Sequence, residues 1–280
     1  FDADDRFEGN FVLPEELTSD RYYLRMANSV TGANVYFRTL MFRNDGSFYW
    51  RGVLHEFVEQ RKKTIVEQKI FGDYYVISGR FGARSNNPQK YFQDAQVLEK
   101  AFYSPEDEDL KDRYAFYTAQ SYRDADMYEK AIEWYAIRAN LGGWSEEVYY
   151  SFLQIALLKI ELNASLNEIQ NLLLSTYEYR PQRAESLYHL ARLLRHNNKA
   201  RLAYIYATVA ANIPLSKDIL FVDHSVYEWK AKEELAMSAN SVGNYQLCHD
   251  LCIELLFNPA VPEQNRKLLL DNLKLAKEHL

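Results

Sequence analysis

Cysteine is scarce, with only Cys248 and Cys252 in 280 residues. The two stand four apart in a helical pattern, which is no disulfide framework and points to a reducing, cytoplasmic setting. A basic surplus is also missing. The formal net charge is −6, which disfavours the nucleic-acid backbone as a partner. No long uncharged apolar run occurs, so no transmembrane helix is expected. P-loop, dinucleotide-binding and nucleophile-elbow glycine patterns are absent as well, which removes the enzyme classes built on them. The chain opens on Phe1-Asp2-Ala3-Asp4-Asp5, without Met and without a signal peptide. That acidic, turn-like start reads as the end of a strand whose beginning is missing, so a fragment or processed product is expected.

What is present is ordinary for a globular chain: 48% hydrophobic and 26% charged residues, in a length that fits one large domain or two. Aromatics reach 15%, with 22 tyrosines, and supply contact area with a polar handle. Residues 1–80 read as mixed α and β. Strands are expected at Arg21–Met26, Val35–Phe42, Thr64–Ile70 and Tyr74–Ser78, around turns at Thr31-Gly32-Ala33-Asn34 and Asn44-Asp45-Gly46-Ser47. Helical spacing then begins through Tyr91, Ala95, Leu98 and Phe102 and continues to Leu280. Breaks fall at Ser104-Pro105, Leu141-Gly142-Gly143, Arg180-Pro181, Ile213-Pro214 and Asn258-Pro259. The domain boundary is placed in Gly79–Asn87, giving domains 1–80 and 81–280.

The helical part carries repeats. A tetratricopeptide (TPR) unit has about 34 residues in two helices, which meet through small side chains at fixed offsets. A unit begun at Asp112 places Ala119 and Ala131 at the small positions and Tyr122 and Tyr135 at the aromatic ones. One begun at Ala184 places Ala191, Ala203 and Ala207, and one begun at Trp229 places Ala236, Cys248 and Cys252. A weaker unit starts near Tyr150. The uneven spacing fits diverged repeats with insertions.

Two sets of residues could carry chemistry. In Asp2-Ala3-Asp4, side chains two apart share a face, and paired carboxylates suit Mg²⁺ or Mn²⁺; the same pattern also serves as a solvated acidic turn. His55 and Glu56, in Trp50-Arg51-Gly52-Val53-Leu54-His55-Glu56, offer a metal or phosphate contact and a general base, or an ordinary surface pair. Cys248-His249-x-x-Cys252 could hold a metal, but both cysteines occupy small-residue repeat positions and suit buried packing. Arg180, Arg183, Arg192 and Arg195 form a basic cluster, either facing an anionic acceptor or lying on a solvated face paired with glutamates.

Taken together, Asp2-Ala3-Asp4-Asp5, Phe42-Arg43 and Trp50-x-Gly52-x-x-His55-Glu56 resemble the second half of a family-2 glycosyltransferase of the GT-A fold. The downstream residues resemble the helical extension of a TPR-bearing branch of those enzymes. They include Arg84-Ser85, Arg113-Tyr114-x-Phe116-Tyr117, Arg138-x-x-x-Gly142-Gly143-Trp144-x-Glu146-Glu147 and Arg180-Pro181-x-Arg183-Ala184-Glu185. The implied fold class is α+β, the C-terminal part of a GT-A α/β sandwich followed by an all-α TPR-like solenoid.

The resemblance implies a metal-dependent, inverting sugar transfer from a nucleotide-sugar donor, a UDP-sugar, to a protein, glycan or other hydroxyl acceptor positioned by the repeats. Asp2, Asp4 and His55 would hold Mn²⁺ or Mg²⁺ on the diphosphate. Glu56 would act as base, with Asp5 as rival. Trp50 would stack on a sugar or else serve as a strand-end core aromatic. The β-α-β nucleotide site that precedes the D-x-D in such enzymes is absent, so this chain alone is expected to be inactive. The alternative is a non-catalytic TPR scaffold with a protein partner in its groove.

Overall fold

The computed structural model describes residues 5–27, 36–77 and 87–280, which form two compact units meeting in sequence at Met127 and Tyr128. The expected boundary at 79–87 lies almost wholly outside the described residues.

The first unit holds seven strands, β1 (Arg6–Gly9), β2 (Arg21–Ala27), β3 (Tyr36–Phe42), β4 (Phe48–Arg51), β5 (Phe57–Gln60), β6 (Glu67–Lys69) and β7 (Tyr74–Ile77), then α1 (Lys90–Phe102) and α2 (Lys111–Asp124). Alternation sets the faces of β2. Tyr22, Leu24 and Met26 are buried while Arg21, Tyr23 and Arg25 lie on the other face, as a period of two requires. The sheet runs β1-β7-β2-β3. β3 pairs antiparallel with β2, and β6 and β7 pair parallel with the start and the end of β2. Tyr22, Leu24, Met26, Ile70, Tyr74 and Val76 make its core.

A separate antiparallel hairpin, β4-β5, lays Leu54 and Phe57 against Leu98, Ala101, Leu110 and Tyr114 of the helical part. Arg51 fixes the hairpin through Glu59, Asp107 and Asp109. Among the described residues, 5–77 contain no helix. A GT-A sandwich needs helices on the faces of a largely parallel sheet. The expected sandwich is therefore corrected to a small mixed sheet with a hairpin.

The second unit is all-helical: α3 (Tyr128–Leu141), α4 (Ser145–Glu161), α5 (Leu166–Tyr179), α6 (Glu185–His196), α7 (Ala200–Asn212), α8 (Ala231–Ser241), α9 (Tyr245–Leu256) and α10 (Glu263–Lys277). Each helix meets its sequence neighbour, and α8 also touches α6 and α10. This is the one-dimensional stacking of a solenoid. The small residues sit where the repeat pattern expects them. Ala191, Ala203, Ala207, Ala236, Cys248 and Cys252 are fully buried and join the clusters between α6, α7, α8 and α9. No described helix is long and apolar enough to cross a membrane.

Candidate functional site

Asp2 and Asp4 lie outside the described residues, as do Arg84 and Ser85. Asp5 stands just before β1 and does not line the cleft that holds His55 and Glu56. That cleft, about 420 Å³, is formed by Arg38 and Thr39 of β3, Trp50, the β4-β5 turn, and Arg113 and Tyr117 of α2. His55 has φ 53°, a left-handed conformation unusual for a side-chain-bearing residue. Two contacts hold it there. Its ring stacks on Tyr117 at 3.9 Å between centroids, and its carbonyl accepts a 2.5 Å hydrogen bond from Arg113 Nη2. Arg113 in turn lies over the rings of Phe57 and Tyr117.

Burial of the stacked face, with Arg113 nearby, lowers the pKa of His55. Glu56 is exposed and makes no hydrogen bond or ion pair among the described residues. Trp50 is 56% exposed and touches Phe42 edge-on, so it is not a core aromatic. Sequence reasoning missed Arg38, and Tyr117 and Arg113 were named in the resemblance without a role. With two guanidinium groups beside one carboxylate, the cleft favours an anion over a divalent cation.

The basic cluster of the second unit separates into different tasks. Arg183 is fully buried and donates to Glu185 at 2.8 Å, to Asp218 at 3.3 Å and to the carbonyls of Leu220 and Phe221. Its guanidinium lies over the ring of Tyr149. Arg180 grips Asp218 through two 2.5 Å contacts and reaches Ser145 Oγ. Glu146 accepts the amides of Ile219 and Leu220, both at 2.8 Å. Glu185 accepts Tyr227 Oη at 2.9 Å. Hydrogen bonds from Arg180 hold the Asp218 carboxyl below its usual range, and burial together with Glu185 raises the Tyr149 phenol.

Arg195 pairs with Glu234 instead, and Arg192 is exposed. The motif around Gly142 has a similar explanation. Buried Arg138 ties Glu147 to the carbonyl of Gly142, and Gly142 and Gly143 both hold left-handed φ values that favour glycine.

The Arg180–Arg183 network anchors the segment 213–225 between α7 and α8. That segment displays Leu215, Ile219 and Phe221 at 51%, 83% and 53% exposure. Phe221 also contacts Tyr150 of α4 at 4.8 Å. Beside the anchoring arginine, α4 and α5 enclose a groove of about 400 Å³ lined by Phe152, Leu172, Ser175, Thr176, Glu178 and Tyr179.

No family model matches the chain, and no curated protein matches it. Solved structures do. The chain is similar to BtubC (BKLC) from P. vanneervenii, at 11% identity over 71% of this chain and 84% of that one, with a TM-score of 0.51. It is also similar to MamA, at 12% identity over 72% and 96% with a TM-score of 0.44, and to TPR-like repeats of a Podosopora anserina kinesin light chain, at 17% over 60% and 85% with 0.43. The fold of this chain is that of a TPR-like helical solenoid with an added small sheet region. None of these neighbours is a glycosyltransferase, and the likeness in fold is carried by BtubC, at a TM-score of 0.51. The expectation of a metal-dependent glycosyltransferase enzyme, Glu56 or Asp5 its base, is corrected on this ground and by the helix-free strand region: the scaffold alternative is the better supported.

Proposed function

We propose that the chain is a non-catalytic TPR-like scaffold that binds a protein partner on its helical unit. The observation that carries this reading is the segment 213–225. Two arginines, Asp218, Glu185 and Glu146 hold it in place, yet it turns Leu215, Ile219 and Phe221 to solvent. A flexible loop would fold such side chains away or solvate them singly. An anchored segment that carries three exposed apolar side chains so close in sequence fits a protein-binding surface. The TPR-like fold supports the same conclusion, because stacked helix pairs give extended binding faces.

The test is site-specific photo-crosslinking in cells. A crosslinker at Ile219 is expected to give a discrete adduct, absent when the crosslinker sits at exposed Gln264. The adduct should be lost when Phe221→Asp is added. Equal labelling from both positions would sink the reading.

A further inference from the structure

The groove between α4 and α5 has a composition that the solenoid itself does not use. Its wall is largely apolar: Leu172, Phe152 and the ring of Tyr179, with Phe152 and Tyr179 edge-to-face at 5.4 Å between centroids. At one side stand Ser175 and Glu178, three apart on α5 and therefore on one face of it. Both are exposed, and neither makes a hydrogen bond or ion pair among the described residues. Several carboxylates of this unit are engaged, Glu147 by Arg138, Glu168 by Lys159, Asp218 by Arg180, Glu234 by Arg195 and Glu254 by Lys232; Glu178 differs from those in standing free, among the described residues, beside two aromatic rings. Thr176, also in the lining, spends its hydroxyl on the Leu172 carbonyl. The groove thus offers two aromatic faces, an apolar floor, one unpaired carboxylate and one unpaired hydroxyl.

Resting on the scaffold reading, we infer that this groove docks a basic segment of the protein partner, with one Lys or Arg side chain lying along Phe152 and Tyr179 and its cationic head on Glu178 and Ser175. Lys and Arg carry long apolar stems that can lie on such a floor while the head stays polar. Aromatic faces attract a cation, most strongly where water is thinned. An acidic partner side chain would meet Glu178 with like charge. A wholly apolar one would leave the carboxylate beside a desolvated surface with nothing to bind. The groove adjoins the surface already assigned, since Arg180, next to Tyr179, is the residue that grips Asp218 of the exposed segment.

The experiment selects a phage-displayed library of random short peptides against the full chain and against Glu178→Gln, Glu178→Lys and Tyr179→Leu variants. Glu178 is exposed and unpaired and Tyr179 is 44% exposed, so all three variants should keep the thermal midpoint of the parent. Peptides enriched on the parent are expected to share one Lys or Arg flanked by apolar residues. Synthesised singly, they should bind Glu178→Gln and Tyr179→Leu about tenfold more weakly, and Glu178→Lys should enrich Asp or Glu at that position. Enriched peptides without a basic residue, or basic ones that bind Glu178→Gln as well as the parent, would overturn the inference. So would the absence of any enriched peptide. The scaffold reading stands or falls separately, on the Ile219 crosslink.

Discussion

A guanidinium with no surface of its own, at Arg183, is held entirely by its surroundings. Glu185, Asp218, two carbonyls and the ring of Tyr149 satisfy it. Removing one member of such a set leaves buried charge uncompensated, which costs about 3–5 kcal/mol. Arg183→Ala is therefore expected to lower the unfolding free energy by that much, read as a lower urea midpoint at unchanged m-value. Arg183→Lys should recover only part of it, because an ammonium cannot reach four acceptors in the fork geometry.

His189 makes a second residue-scale case. Burial first, then Arg192, depress its pKa to about 4. Arg192 and Lys230 oppose protonation and Asp223 and Glu185 favour it. The folded value lies below the ordinary 6.5, so the unfolded chain binds the proton more readily between those two values. Stability from this group is complete above pH 6.5 and falls as pH drops toward 4, by roughly 2 kcal/mol at pH 5. Thermal midpoints of the parent and His189→Gln should converge on acidification across that window. Parallel curves would show that His189 contributes nothing to the acid response.

The sequence placed Arg180, Arg183, Arg192 and Arg195 in one cluster. It could not assign their tasks, because the acceptors of Arg183, Arg180 and Arg195 at Asp218 and Glu234 lie 35 to 39 residues further on. The cysteines were legible because their role depends on local repeat offsets, and both are buried there.

At the scale of elements, helices were easier to read than strands for a physical reason. Each helix is set by its own periodicity and ends at the Gly or Pro signals seen in the chain, as α3 does before Gly142 and α5 before Pro181. β2, β3 and β7 follow the expected segments, whereas Thr64–Ile70 shrinks to β6, three residues long. β1, β4 and β5 were missed. They are four residues each and owe their place to distant partners, β1 to β7 and the β4-β5 hairpin to Arg51 with Asp107 and Asp109. The candidate surface on 213–225 escaped for the same reason, since a loop is recognisable in sequence and its anchoring is not.

That anchoring can be tested by element. Glu146 accepts the amides of Ile219 and Leu220, so Glu146→Gln weakens two charge-assisted bonds without emptying space. Hydrogen exchange at those two amides is expected to rise by about tenfold while α6 stays protected. Unchanged exchange would mean that Arg180 and Arg183 suffice to hold the segment.

At the scale of the whole molecule, the solenoid of the second unit makes a prediction that a single-core bundle would not. Contacts run between sequence neighbours, supplemented by α6 with α8 and α8 with α10. Ala191, Ala207 and Leu235 form one small cluster where α6, α7 and α8 come together. Both alanines are fully buried. Adding three carbons at Ala207 forces these helices apart and costs about 1–3 kcal/mol by overpacking. In a bundle around one core that loss would spread over every helix. In a stack, where stability is a sum of repeat and nearest-neighbour terms, it should fall on α6, α7 and α8 and fade toward α4. Ala207→Leu is thus expected to raise hydrogen exchange in α6–α8 first, with α4 and α5 holding most of their protection. The Phe152–Tyr179 groove should survive in that variant and bind its basic peptides, while the segment 213–225, which hangs between α7 and α8, should lose the Ile219 crosslink. Uniform loss of protection across α3–α10 would instead make the unit one cooperative core, and the extended binding face assigned to it would lose its structural basis.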